Sequence, residues 1–446
     1  MEEHLSFKAE PRISPTATAA HILVVGGGVT GLVTSWILLD RGYKVTVMSK
    51  QWASDKKEQR LTSQIAGALW EFPPAVCGQH TDHISVQLSK RWCMLAYRVW
   101  DAIAADPDLS RASGVRMKKS AFFFPYRVEE DKEQYQKMLE IESSGVRGFH
   151  HSKSLIEDYG VSSEYGCVDA YELLAPIIDT DQAMSWLMGL IASKGAEFVS
   201  EAVEGDIFDC EHELHQRFKT DVIVNTTGLA SIQLAGDTSC YPIRGATIRI
   251  INDGGKFEKV DSALCISADA RHASGKATEF VFILPRSDRI LLLGGISEPY
   301  QWKLDYTLDS DIIRRMKERC EEFLPRLKHA HLDDDYPLAQ GLRPFRECNV
   351  RVERELRRHE PCSDSPAKSG HQSGTGSADS TDDASAASRI AHSYGHGGSG
   401  WSLSFGCAED VLGLVEEILA GKPPRQAAQQ ANGYLSLGGN HLGGKD

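Results

Sequence analysis

Three glycines, Gly26, Gly28 and Gly31, stand in the spacing G-x-G-x-x-G directly after the apolar run at 22–25. Gly26 permits a tight turn, Gly28 lets the backbone approach a pyrophosphate, and Gly31 lets the next helix pack closely on the strand. That helix carries Leu32, Trp36 and Leu39 on one face and is broken by Gly42. The positive end of its dipole, with Val29 and Thr30 in the first turn, faces the phosphates. A second strand follows at 44–48. The glycine motif alone is a weak signal, but strand, helix and strand at this spacing point together to dinucleotide binding. One element departs from the pattern. Where the second strand should end in a carboxylate for the ribose hydroxyls, the chain reads Met48-Ser49-Lys50. A serine hydroxyl can make one hydrogen bond, so Ser49 and Lys50 are candidates for a weaker clamp.

Other residues with chemical potential are less organised. The pairs His80/His83 and His150/His151 have no carboxylate or cysteine partner in sequence, so they read as surface histidines and no metal site is expected. Ten cysteines include no C-x-x-C pair, which argues against zinc and against a disulfide framework. A reducing intracellular compartment follows as the expectation.

The elements that must position the fingerprint form an α/β core. Strand and helix patterns alternate from His21 to about residue 237. From 241 to 300 the runs at 247–251, 280–284 and 289–293 are β-rich with turns between them, which predicts an antiparallel sheet. The expected architecture is a discontinuous Rossmann-type domain (21–100, 165–240 and 335–425) with a β-rich substrate domain (101–164 and 241–334). A fingerprint near the start with the substrate domain inserted later is the arrangement of FAD. Residues 1–20 and 426–446 are expected to be flexible tails. The Ser-, Gly-, Asp- and Ala-rich stretch 357–388 is expected to be a mobile insertion, a solvent loop in preference to a lid. Apolar residues at helical spacing over 409–419 end at Gly421-Lys-Pro-Pro.

The net charge of −13, with both signs mixed along the chain, lacks the basic patch of a nucleic-acid binder. No apolar run reaches the ~18–20 residues of a spanning helix, and the first twenty residues lack the apolar stretch of a secretory signal. The ending GGKD is not the peroxisomal tripeptide, so the cytoplasm is expected ahead of the peroxisome. Oligomeric state stays open.

Three further segments carry a resemblance. They are Ala66-Gly67-Ala68-Leu69-Trp70-Glu71; Gly341-Leu342-Arg343-Pro344-Phe345-Arg346, followed by Arg351 to Glu355; and His392-Ser-Tyr-Gly-His-Gly-Gly-Ser-Gly-Trp401. Weaker echoes are Val222 to Gly228 and Leu293 to Ile296. In this order, over roughly 21–420, the chain resembles the D-amino-acid oxidase and D-aspartate oxidase family of FAD-dependent oxidoreductases. The resemblance implies FAD, with Ala66, Gly67, Ala68 and Leu69 beside the flavin and Val203, Thr227 and Gly228 on the adenine side. It implies that Arg343 binds a substrate carboxylate through its planar fork, and that Gly398 lends its carbonyl to the substrate amine. Gly397, Gly398, Ser399, Gly400, Trp401 and Ser402 would form the turn into a helix whose first amides stabilise negative charge on the flavin. His396 fits a structural histidine beside the flavin better than a base.

Two positions depart from the family pattern. Phe282, in Phe282-Ile-Leu-Pro285, stands where the family has a tyrosine that helps hold the carboxylate. Losing such a charge-assisted hydrogen bond costs about 1.5–3 kcal/mol. Glu71 stands where a neutral amide often faces the substrate side chain; it either favours a cationic substrate or pairs with a nearby arginine. The expected function is oxidation of an amine, a D-amino acid or related amino-carboxylate, to an imine by hydride transfer to flavin N5, with oxygen as acceptor giving peroxide. The alternatives are an imine-forming flavoenzyme of specialised metabolism, or an FAD-binding scaffold without catalysis.

Overall fold

The computed structural model describes residues 5–56, 59–72, 83–266, 279–359 and 387–425. Their strands run β1 (His21–Val25), β2 (Lys44–Ser49), β3 (Val115–Phe124), β4 (His150–His151), β5 (Asp169–Ile178), β6 (Glu197–Ser200), β7 (Val222–Asn225) and β8 (Cys240–Ile251). They continue with β9 (Ala263–Ile266), β10 (Glu279–Pro285), β11 (Ile290–Ile296), β12 (Glu298–Pro299), β13 (Leu338–Arg346), β14 (Arg351–Arg354) and β15 (Ile390–Tyr394).

The first sheet has the order β14-β15-β7-β1-β2-β6. Within it β1 runs parallel to β2 and β7, β15 parallel to β7, and β2 parallel to β6; β14 alone is antiparallel. Strands of a parallel sheet covered on both faces read as continuous apolar runs. So it is here: Ile22, Leu23, Val24, Val45, Val47, Val222, Ile223 and Val224 are all buried. The helix Val29–Asp40 is buried at all twelve positions, being packed between the sheet and the helix Gly400–Leu419. This final helix begins well before the pattern at 409–419 suggested. Among the described residues no helix is long and apolar enough to cross a membrane.

The second sheet has the order β12-β8-β11-β10-β9-β3-β5-β4, with β13 paired to β8. It is antiparallel except where β3 meets β9. Its membership corrects the expected boundaries in two places. β5 pairs with β3 along its whole length, although 165–240 was placed with the dinucleotide domain, and β13 pairs with β8, although 335–425 was placed there too. Both are long strands whose partners lie far off in sequence, so no local pattern marks their sheet.

A second correction concerns the start of the chain. Residues 1–4 lie outside the described residues, but Leu5 is buried and Phe7 packs edge-on against Trp36. The cause is Asp40, whose carboxylate accepts from Ser6 N at 2.7 Å, Arg12 N at 3.0 Å, Trp36 Nε1 at 2.8 Å and Lys194 Nζ at 2.8 Å. The Lys194 and Asp40 side chains are 0% and 1% exposed. Breaking a buried pair of this kind costs about 3–5 kcal/mol. Asp40→Asn is therefore expected to lower the thermal midpoint and to free the segment 5–13 for limited proteolysis; unchanged melting and digestion would count against this anchor. Most of the insertion expected at 357–388 (360–386) and the tail at 426–446 lie outside the described residues.

Candidate active site

The carboxyl ends of β1, β2 and β7 open into one elongated cavity of about 630 Å³, the place where open parallel sheets bind ligands. At its first-sheet end Gly26 has φ +122°, and a side chain there would lie 2.6 Å from Thr226 O. A Cβ on Gly31 would overlap the Gly26 carbonyl oxygen, so the third glycine acts in helix packing. Gly28 sits at the head of the helix without supplying a side-chain cap, and the first amide, Val29 N, instead meets Ser63 Oγ at 3.0 Å. Backbone amides and dipole thus face a cradle that only glycine allows. The residues present fit a dinucleotide pyrophosphate.

Gly26, Gly28, Val29, Thr30, Ser49, Lys50, Ala66, Gly67, Ala68, Leu69, Val203, Thr227, Gly228, Gly397, Gly398, Gly400 and Trp401 line this cavity, and so do Arg343, Phe282 and Glu71. Gly31, Ser399 and Ser402 do not: Gly31 is under the turn, and the two serines are buried at the head of the helix Gly400–Leu419. Ser49 lines the cavity but is engaged, its hydroxyl accepting from Gly27 N at 3.1 Å and donating to Gln51 O at 2.7 Å. Sequence reasoning missed Ser63, Gln51, Gln233, Cys265 and Glu201, all in the lining. No motif marks them, since each reaches the cavity from its own element.

At the other end β13 brings Arg343 under the second sheet. Arg343 is part-buried, donates to Ile296 O at 3.2 Å, and makes no ion pair among the described residues. Burial pushes its pKa down to about 10, so it remains charged at neutral pH at a cost that an incoming anion would relieve. Room for it comes from Gly245 on β8, where a Cβ would overlap the guanidinium. The loop at 395–400 is tied to the same strand by Gly397 N to Pro344 O at 2.9 Å. His396 in that loop is buried, its Nε2 has no partner among the described residues, and burial lowers its pKa to about 4. It is neutral at physiological pH and a weak base, which fits a structural role.

The opposite wall is made by the loop at 66–71 and β10. The Phe282 ring fits over Gly67, where a Cβ would come within 2.5 Å of it. Arg286, one residue beyond β10, fixes this loop from behind: it donates to Ala66 O at 2.7 Å, to Gln64 O and Ile178 O at 3.2 Å, and to Thr180 Oγ1. Ala68 takes a left-handed conformation, φ +54°, within the fixed loop.

Glu71 is not an unmatched anion. Its Oε1 lies 2.8 Å from Nζ of Lys137, a side chain only 7% exposed. With an ammonium beside it, Glu71 is expected to draw a cationic substrate less strongly than an unpaired carboxylate would. Lys137→Met is expected to raise kcat/KM for D-arginine or D-lysine relative to D-leucine by about tenfold, the worth of one partly desolvated charge contact. An unchanged ratio would separate Glu71 from substrate recognition.

The comparisons with known proteins bear on this geometry. The model of the family described as FAD dependent oxidoreductase matches residues 21–413. A D-amino-acid oxidase of Streptomyces coelicolor is 28% identical over 396 residues, covering 88% of this chain and 96% of that protein. One from Rubrobacter xylanophilus is 26% identical over 412 residues, covering 90% and 97%. Among solved structures, a glycine oxidase from Bacillus cereus superposes with a TM-score of 0.62 at 15% identity over 92% of this chain and 99% of that one. An iminodiacetate oxidase from Chelativorans sp. gives 0.63 at 12% identity over 92% and 98%. With its fingerprint, its two sheets and a family match across nearly the whole core, the chain belongs to the FAD dependent oxidoreductase family, as a divergent relative of the D-amino-acid oxidases.

Proposed function

We propose that this flavoenzyme oxidises the carbon bearing the amine of a small amino-carboxylate, a D-amino acid or close relative, to the imine. The observation that carries the reading is Arg343, a part-buried guanidinium in the cavity wall with no ion-pair partner among the described residues. The relatives named D-amino-acid oxidase support the same substrate class. When bound, FAD supplies the hydride acceptor at N5 and passes the electrons to oxygen, giving peroxide.

The chain's own residues do the rest. Arg343 presents two parallel N–H donors to the carboxylate and fixes its plane, which lysine would not do. Gly398 offers its carbonyl to the amine, orienting the carbon between them. The first amides of the helix Gly400–Leu419 favour negative charge in the adjoining cavity. His396 is neutral and a weak base, so the substrate amine arrives neutral or loses its proton elsewhere than to His396. Phe282 has no hydroxyl to offer, so Arg343 holds the carboxylate without help from that position, and a binding loss of about tenfold or more is expected relative to a tyrosine there.

All eight described cysteines are free, which favours a reducing compartment of the cell. The test is a panel of D- and L-amino acids and glycine, with peroxide, ammonia and keto acid measured together. Stoichiometric products from D-amino acids support the reading; products from decarboxylated amines alone would sink it.

A further inference from the structure

The carboxylate that a dinucleotide site carries at the end of its second strand is missing here, and Ser49, standing in its place, is engaged by Gly27 and Gln51. The neighbouring parallel strand brings another. β2 and β6 pair with Ser49 opposite Ser200, and the next residue, Glu201, donates its N–H to Ser49 O at 3.1 Å. Glu201 lines the cavity together with Lys50, Gln51 and Val203. The other carboxylate in the described lining, Glu71, is paired with Lys137.

Glu201 is also held in one orientation. Arg217, from the helix Glu211–Phe218, donates Nη1 to Oε1 at 2.6 Å and Nη2 to Oε2 at 2.5 Å. This fork keeps the carboxylate ionised, its pKa lowered by the Arg217 hydrogen bonds. A carboxylate has about four lone-pair sites. The arginine takes one on each oxygen, and the others suit a vicinal diol. The side chain is 40% exposed, as expected at the mouth of a cavity.

We propose that Glu201 accepts hydrogen bonds from the adenosine ribose hydroxyls of FAD, replacing the acid absent from the end of β2, and that Arg217 positions it. The inference rests on the cofactor and is independent of the substrate reading above.

The test is binding, read by flavin fluorescence as full-length apoprotein is titrated with FAD and with an FAD analogue lacking the adenosine ribose hydroxyls. Glu201→Gln is expected to weaken FAD by about three- to thirty-fold, and to bind the analogue as the unaltered chain does. Arg217→Met should weaken FAD less and leave the analogue unchanged. Equal FAD affinity in Glu201→Gln, or an equal loss for FAD and analogue, overturns the proposal. Should Glu201→Gln fail to fold, Glu201→Asp retains the charge, draws it back by one methylene and is read against the same two outcomes.

Discussion

Arg343→Leu abolishes the advantage of a carboxylate in the substrate. The guanidinium is part-buried, bound to one main-chain carbonyl, and its pKa is pushed down to about 10 by desolvation. Its charge is therefore waiting for an anion, and the pair formed inside the cavity is shielded from water. Removing one partner of such a desolvated pair costs about 2–5 kcal/mol. At 1.4 kcal/mol per decade, kcat/KM for a D-amino acid should fall by roughly thirty-fold to several thousand-fold. The matching amine without a carboxylate supplies the internal control: its slow turnover should change little, so that the two substrates converge. Flavin content should be unaffected, since the first-sheet end of the cavity is untouched. A variant that still prefers the carboxylate substrate would mean that Arg343 is a structural cation and that the anion site lies elsewhere.

The second large effect is on the cofactor. Gly31→Val places three heavy atoms where even a Cβ overlaps the Gly26 carbonyl oxygen and approaches Thr226 Oγ1 within 2.8 Å. The helix Val29–Asp40 must then move off β1, and the amides at its head leave the pyrophosphate. Overpacking of this kind costs about 1–3 kcal/mol or more, so FAD affinity should fall by about a hundred-fold. The purified variant is expected to be colourless while keeping its far-ultraviolet circular dichroism. A yellow protein with ordinary flavin content would remove Gly31 from the account of the fingerprint.

How much of this was legible in the sequence depends on whether a residue's reason is local. Gly26, Gly395 and Gly397 take positive φ in local turns and Gly31 packs on the Gly26 carbonyl, so spacing exposes them. Arg343 could be read because it sits in a run matching a known family. The parallel core was legible too, in the apolar runs 22–25 and 222–224 and the mostly apolar β2. What stayed hidden was set by distant partners. β5 reads like any buried strand, and its membership of the second sheet follows from its pairing with β3, some fifty residues away. Lys137 lies on the helix Lys132–Ser143 and Glu71 in the loop at 66–71, and no pattern in either segment announces the pair. The segment 5–13 has the composition of a tail, yet a buried carboxylate 28 residues beyond Arg12 supplies the hydrogen bonds that order it. Glu201 is the same case at the ribose end: an acid displaced by one strand leaves the familiar position empty in sequence and filled in space.

Both sheets therefore serve one purpose. The first presents its glycine turn at the carboxyl ends of its strands, the second contributes Arg343 and Phe282, the latter packed over Gly67, and all of them line one cavity. The measurement that tests this most directly is the absorption spectrum of the purified protein, mixed with a D-amino acid in the absence of oxygen. The account expects the yellow flavin band to bleach on mixing and to return when air is admitted, with peroxide formed in proportion. A flavin that stays yellow with every amino-carboxylate offered, while bleaching with an amine lacking the carboxylate, would contradict it.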